Sequence, residues 1–455
     1  MWNQNHVTQL GAFVSHPPVE LATMTGPISQ KSPPGAQPAL VSPLRYRDFR
    51  MFWTGLVLSG IGSQFTNVAM AWQIYELTNS ALQIGLLGLT RGIPQIILLL
   101  LGGLLADAMN RRKLMMYTQA GLFVVSAALA LFTLSGMASP LVLYVATVLL
   151  ALFISLESPS RVSIVPNLVP QEQLARALAL HTSVRYVSVI VGPSVAGLVL
   201  ALWGPAACYA VDALSWLVML LSLALLRTKL QQGGGWRMLS LTSLREGLKF
   251  VRRHAVIFPL MVMDFGANFF GSVRALLPIY ARDILSVGPE GLGLLYAAPA
   301  VGALFAAAGM SRLGQVRHTG RWIYAGVAVY GAGTVLFGGS RIFWLSALLL
   351  AFVGAGDTVS AILRATINQL YTPDELRGRI SSINTIFTMG GPQLGQFESG
   401  VVAAWLGAEL SAMTGGAATL MILVGVAIAF PSVRRFQIGE DHESMESRAR
   451  ATPGG

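Results

Sequence analysis

Polar residues along this chain are confined to short runs that separate twelve apolar stretches of roughly 18–25 residues. The stretches lie near 52–73, 83–106, 114–135, 139–159, 180–202, 206–226, 258–280, 291–311, 322–339, 342–363, 378–404 and 413–431. As a helix, each is long enough to cross a hydrocarbon core about 30 Å thick. The pattern predicts an all-α integral membrane protein with twelve transmembrane helices.

The pattern also repeats. Arg161 is followed nine residues on by Pro170 and then Glu172, and Arg364 is followed nine residues on by Pro373 and then Glu375. Each copy leads to a Gly-Pro pair in the next apolar stretch, Gly192-Pro193 and Gly391-Pro392. Parallel halves of this kind mark transporters, because two similar bundles can rock around a site between them. The expected organisation is a six-helix bundle over 44–226, a linker over 227–257, a second six-helix bundle over 258–431, and tails at 1–43 and 432–455. Gly233-Gly234-Gly235 predicts a flexible linker, and Ser243 to Arg253 a short amphipathic surface helix at its end. Leu44 to Phe52 predicts a similar surface helix leading into the first span.

Composition agrees: 54% of the residues are apolar and 11% charged, outside the soluble range. The formal charge of +11 suggests a nucleic-acid partner until the basic residues are placed. Of 31 Lys and Arg, 26 fall in the N-terminal segment, alternate loops and the C-terminal tail, all on one side. That asymmetry is the positive-inside rule, which predicts a multi-pass protein of the inner (plasma) membrane with both termini cytoplasmic. It fits contact with anionic membrane lipids and no nucleic-acid partner. A lone cysteine, Cys208, excludes internal disulfides and Cys-rich metal sites. The first 43 residues hold seven prolines and no continuous apolar run, which predicts a disordered tail and no signal peptide. No nucleotide P-loop, metalloprotease or hydrolase motif is present, so the expectation is no enzyme, no cofactor and no bound metal.

Between the second and third stretches runs Gly102-Gly103-Leu104-Leu105-Ala106-Asp107-Ala108-Met109-Asn110-Arg111-Arg112-Lys113. A carboxylate such as Asp107, where a helix leaves the membrane, can cap the next helix and pair with guanidinium groups, and Gly103 permits a close helix approach. The segment resembles the G-x-x-x-D-x-x-x-R-R loop of the major facilitator superfamily. Gly192-Pro193-Ser194-Val195-Ala196-Gly197 resembles the glycine-proline motif of its export-type members. Gln73 to Ser80, Pro166 to Pro170, Asp264 to Ala267, Leu295 to Gly302, Gly356 to Ser360, Pro373 to Arg379 and Gly391 to Gly395 resemble the branch that contains the bacterial enterobactin exporters. Three features depart from the pattern. Asn110 precedes the Arg pair. The second-half loop, Gly309 to Arg321, is basic without a carboxylate. Leu143 to Thr147 lacks the arginine that many drug–proton antiporters carry there.

Eight ionisable residues fall within or at the edge of the spans: Arg91, Glu157, Arg185, Asp212, Asp264, Arg274, Asp357 and Glu398. Each costs about 2.5–3.5 kcal/mol at the centre of a lipid-facing helix, so they must pair or line a wet cavity. Helical spacing puts Asp264, Asn268 and Gly271 on one face, Asp357, Ser360 and Arg364 on another, His181, Arg185, Ser188 and Gly192 on a third, and Gly60, Gln64, Asn67 and Ala71 on a fourth. The resemblance implies that spans 1, 4, 7 and 10 line the cavity, with Gln64, Asn67, Glu157, Asp264 and Asp357 among the lining residues. Glu157 and Arg161 are expected to pair near a gate, and Asp212 to make a structural hydrogen bond near a helix end. Asp107 is expected to hold the start of span 11 through Arg377 or Arg379. Because Arg364 shares a face with Asp357, Asp264 is expected to carry the proton and Asp357 to contact the substrate.

What the resemblance implies is a monomeric, proton-driven exporter of a small molecule, of the catecholate siderophore class, working by alternating access. Efflux of a macrolide or other amphiphilic drug is an alternative with the same fold. A non-transporting receptor or sensor is a third, of another class.

Overall fold

The computed structural model describes residues 42–108, 111–228, 248–249, 251–252, 256–314, 316–372 and 374–436. Both tails, most of the linker with its glycine run and the proposed Ser243–Arg253 helix lie largely outside these residues. Among the described residues all regular structure is helical.

The N-terminal half begins with a 3-10 turn at Pro43–Arg45, where the Ser42 hydroxyl accepts from the Leu44 amide. Helix α1 (Arg47–Thr78) follows without interruption. The separate surface helix expected over Leu44 to Phe52 is therefore corrected: Phe49 and Phe52 are the first core residues of α1, at 1% and 0% exposure. Asn79 ends the helix in the left-handed region, φ 47°, with its amide bonded to the Tyr75 carbonyl. Helices α2 (Ala81–Ala108), α3 (Arg111–Leu134) and α4 (Pro140–Leu168) follow, α4 opened by Ser139 as N-cap and Pro140 in the first turn. Helix α5 (Leu174–Ala224) is two arms, because Gly204 at φ 74° and Pro205 turn the chain back on itself.

The C-terminal half runs α6 (Ile257–Phe270), a short helix Leu277–Ile279 continuing as a π turn Tyr280–Ile284, α7 (Gly288–Leu313), α8 (Thr319–Gly338), α9 (Phe343–Tyr371), α10 (Asp374–Leu406) and α11 (Ala408–Ala429). The continuous span expected over 258–280 is corrected: it breaks after Phe270. The cause is local, since the Tyr330 ring packs where a Gly271 side chain would stand and its hydroxyl donates to the Gly271 carbonyl at 3.1 Å. Seven of the described helices are long and apolar enough to cross a membrane by length and composition. With α5 counted as two arms, the described helices form two sets of six, the major facilitator architecture.

Within the first set, α1 packs on both arms of α5, and α3 on α4 and α5; within the second, α9 packs between α7 and α8. The sets meet along two crossings, α2 with α10 and α5 with α7. The largest core cluster draws on both sets, joining Phe65 to Tyr75 of α1 with Ala275 to Ala281 and Leu292 to Ala298. All these residues lie at the end remote from the linker. At the linker end, the described cores stay within one set each: Phe49, Phe52 and Ile164 in the first, Leu260, Ile323 and Ile367 in the second. The bundles are thus sealed together at the far end.

Candidate functional site

Glycines make the seal. A Cβ on Gly197 would stand 2.5 Å from the Pro289 carbonyl oxygen and 2.9 Å from the Gly293 Cα, while one on Gly293 would strike the Pro193 carbonyl. On the other crossing, Gly85 and Gly400 meet backbone to backbone, and a Cβ on Gly88 would lie 2.5 Å from the Gln393 carbonyl. Both Gly-Pro phrases of the internal repeat therefore sit at inter-bundle crossings. Gly192 has a different neighbour, the Gln64 side chain of α1, 2.7 Å from a would-be Cβ. At the far end Tyr75 donates to the Asp283 carboxylate across the seam, and Arg282 donates to Asn79 Oδ1 at 3.0 Å with its guanidinium over the Tyr75 ring. This latch was not legible in the sequence, where Arg282 was only a far-side loop residue.

Below the seal the embedded charges sort into paired and unpaired groups. Glu157, fully buried, accepts from Gln119 at 2.6 Å, from Thr118 at 3.3 Å and from Arg161 one turn on. The Arg161 guanidinium also lies 5.8 Å over the Trp216 ring. In the second bundle Arg364 donates to Asp264 Oδ1 at 2.6 Å and to the Ser360 hydroxyl, and Asn268 donates to the same Asp264 oxygen at 3.0 Å. The pairing on which the expected division of labour rested is corrected here. Arg364 is two turns from Asp357 along α9 and bonds across to α6, so Asp264 is the directly paired carboxylate, while Asp357 stays within electrostatic reach of Arg364. Asp357, half-buried, has no hydrogen bond or ion pair among the described residues.

Asp212 accepts from Thr66 at 2.6 Å and Ser126 at 2.7 Å inside the first bundle, tying α1, α3 and the second arm of α5. It makes the structural hydrogen bonds expected of it, but from the interior of an arm and not from a helix end. Arg185 is exposed on α5, and Gln64, Asn67 and Glu398 are partly exposed, all without a hydrogen-bond partner among the described residues. Arg112 donates to the Ala224 carbonyl at 2.8 Å, capping the end of α5. Gly103, Asp107 and Arg111 lie on described helices, but their side chains, like those of Arg377 and Arg379, are outside the described residues.

Arg91 and Arg274 stood out in the sequence as embedded charges, but two groupings did not. Arg91 of α2 and Arg274, in the break after α6, come within electrostatic reach of each other and of Tyr296 on α7. Tyr296 donates to the Arg274 carbonyl at 3.2 Å, and the Arg274 guanidinium lies 5.5 Å over its ring. Neither arginine has a carboxylate partner among the described residues. In the second bundle Phe265 stacks on Phe269 at 5.6 Å and meets Phe387 edge-on at 5.5 Å, all half-buried. The signal that could have found this wall is the i, i+4 phenylalanine pair next to Asp264.

The model of the transmembrane secretion effector family matches residues 39–451. The chain belongs to that family. Transmembrane secretion effectors are of the major facilitator type, and the chain is accordingly a multi-pass membrane transporter. It is 27% identical over 389 residues to the enterobactin exporter EntS of Shigella boydii serotype 18 and to that of Escherichia coli O81, covering 86% of this chain and 93% of each relative. Among solved structures, a bacterial homologue of the iron transporter ferroportin in an inward-facing state superposes with TM-score 0.65 at 17% identity, covering 86% of this chain and 99% of that one. The nucleoside transporter NupG superposes with TM-score 0.64 at 14% identity, covering 86% and 100%. These likenesses place the effector family's fold among major facilitator transporters.

Proposed function

We propose that this chain is a secondary exporter that moves a small anionic aromatic molecule, of the catecholate siderophore class, out of the cytoplasm by alternating access. It crosses the inner membrane twelve times as a monomer, with the linker and both termini cytoplasmic, as the distribution of its basic residues supports. The packing then corresponds to a state open towards the cytoplasm, since the bundles share a core only at the far end.

The observation that carries the substrate class is the group of Arg91, Arg274 and Tyr296, with guanidinium charges contributed by both bundles. Guanidinium groups without a carboxylate partner in a membrane interior select an anion, and the aromatic wall of Phe265, Phe269 and Phe387 in the second bundle offers flat faces to a ring. Ionised catechols present both features. The kinship with enterobactin exporters supports the same class. Protons are the proposed driving ion, with Asp357 as the carrier.

The test is export by a strain that lacks this gene, grown under iron limitation. Its medium should lose an iron-free catecholate that accumulates inside the cells, and restoring the wild-type gene should return it. An unchanged catecholate profile together with new sensitivity to macrolides would overturn the siderophore assignment in favour of drug efflux.

A further inference from the structure

The basic loop that departs from the superfamily motif adjoins a groove outside the transport path. Between the linker ends of α7 and α9 lies a groove of about 410 Å³, lined by Met310, Ser311, Arg317, Ile362, Thr366 and Leu370. Its direction is set by α9. Trp344, Leu348, Phe352, Ile362 and Leu370 are exposed apolar residues on one side of that helix, whereas Ser360 and Arg364 on another side are buried against the Asp264 network. In a membrane protein an exposed apolar stripe is the lipid-facing surface, so the groove opens to the bilayer and not to the cavity between the bundles.

Charge gathers where the groove meets the membrane boundary. Arg312, Arg317, His318 and Arg321 are exposed there, and Gly309 to Arg321 contains no Asp or Glu. None of the three arginines makes a side-chain hydrogen bond or ion pair among the described residues. The Ser311 and Thr366 hydroxyls already donate to the Ala308 and Ile362 carbonyls of their own helices, which leaves the guanidinium groups as the available donors. An apolar groove under an unneutralised cationic rim, at headgroup depth, matches one amphiphile with an acyl chain and a phosphate.

We propose that this groove is a binding site for an anionic phospholipid, its acyl chain against Met310, Ile362 and Leu370 and its phosphate held by Arg317 with Arg312 and Arg321. The bound lipid neutralises the loop that in the first half of the chain carries its own carboxylate, Asp107. It also bridges α7, which forms the inter-bundle seam, to α9, which carries Asp357 and Arg364.

The experiment uses the full-length protein in micelles doped with phosphatidylglycerol or with phosphatidylcholine of the same chains, counting retained lipids by native mass spectrometry. Wild type should retain phosphatidylglycerol in preference. Arg317→Gln should weaken that retention about fivefold, the effect of one arginine at an anionic surface. Ile362→Trp, which fills the groove without altering charge, should weaken it as well, and Arg45→Gln in the other bundle should not. Equal retention of both lipids by wild type, or wild-type retention by both Arg317→Gln and Ile362→Trp, overturns the site. So does a chain ending at residue 436 that binds phosphatidylglycerol far more tightly than the full chain, because the acidic segment 440–446 would then be the loop's occupant.

Discussion

Arg364 of α9 and Asp264 of α6 are joined at 2.6 Å, both less than one-tenth exposed. The first bundle holds a counterpart, Arg161 with Glu157, but there the acid lies one turn away on the same helix. The two repeats thus keep an arginine at the same place in the phrase and neutralise it differently. In the second bundle the pair also ties two helices together.

Removing one partner of such a pair strands a buried charge, at a cost of about 3–5 kcal/mol. Arg364→Ala should therefore lower the unfolding midpoint of the detergent-solubilised protein strongly, and Asp264→Asn should do so less because the amide still accepts from Arg364. Thermal unfolding followed by thiol labelling of Cys208, which is buried, reads both. A midpoint for Arg364→Ala within error of wild type would sink the structural role of the pair.

Gly197 and Gly354 predict opposite outcomes for the same substitution. Alanine at Gly197 meets the backbone of α7, the other bundle, whereas alanine at Gly354 meets the Pro299 backbone within its own bundle. Gly197→Ala should part the far-end seal and shift the population between states while leaving each bundle intact. Gly354→Ala should destabilise the second bundle itself. Spin-label distances across the seam, compared with unfolding midpoints, separate the two effects.

Tyr75→Phe removes the hydroxyl that donates to Asp283 and leaves the ring under Arg282. The far end should then open more often, raising the rate at which an impermeant thiol reagent reaches a cysteine placed at Gln64. An unchanged rate would mean that the glycine crossings alone hold the far end closed.

Much of this was legible in the sequence, and what was missed has a physical cause. Apolar length gave the helices, and the repeat gave the two sets of six. The paired Gly-Pro phrases gave the two seams without saying that they were seams. Side-chain reach was not legible: spacing on α9 groups Arg364 with Asp357, but a long guanidinium side chain two turns away reaches the neighbouring helix more easily than along its own. The break after Phe270 was hidden because Gly271 to Leu276, despite Ser272 and Arg274, lies inside a longer apolar stretch, and only the packing of Tyr330 against Gly271 shows where the chain unwinds.

Asp48 ties the start of α1 to the end of α5, accepting from the Thr228 hydroxyl at 2.6 Å and from the Thr228 and Arg227 amides at 2.9 and 3.0 Å. Burial pushes its carboxyl up, but the Thr228 and Arg227 hydrogen bonds with Arg47 outweigh that and hold it below the ordinary 3.8. A carboxyl lowered on folding stabilises the fold above its unfolded value and loses that contribution as pH falls through the folded one. Asp48→Asn should thus lower the unfolding midpoint at pH 7 and at pH 5, with the gap to wild type closing below 3.8. A gap that persists at pH 3 would show that the ionised carboxylate is not what matters.

In the proposed proton-driven cycle, energy coupling turns on Asp357. With Asp264 held by Arg364 and Asn268, proton loss and gain at Asp264 would have to break a buried ion pair on every cycle. Asp357 lies on the same helix as Arg364, is half-buried, and lacks a hydrogen bond or ion pair among the described residues. Such a carboxyl can take a proton when the cavity is open to one side and release it when the cavity opens to the other, with no pair to rebuild. Counterflow isolates this step, because it exchanges substrate without net proton movement. In proteoliposomes, Asp357→Asn should abolish uphill efflux under a pH gradient yet retain counterflow. Asp264→Asn should weaken both, through loss of the α6–α9 tie. A substrate gradient still built by Asp357→Asn would move the proton site elsewhere, with Glu398, the other half-buried carboxyl without a described partner, next in line.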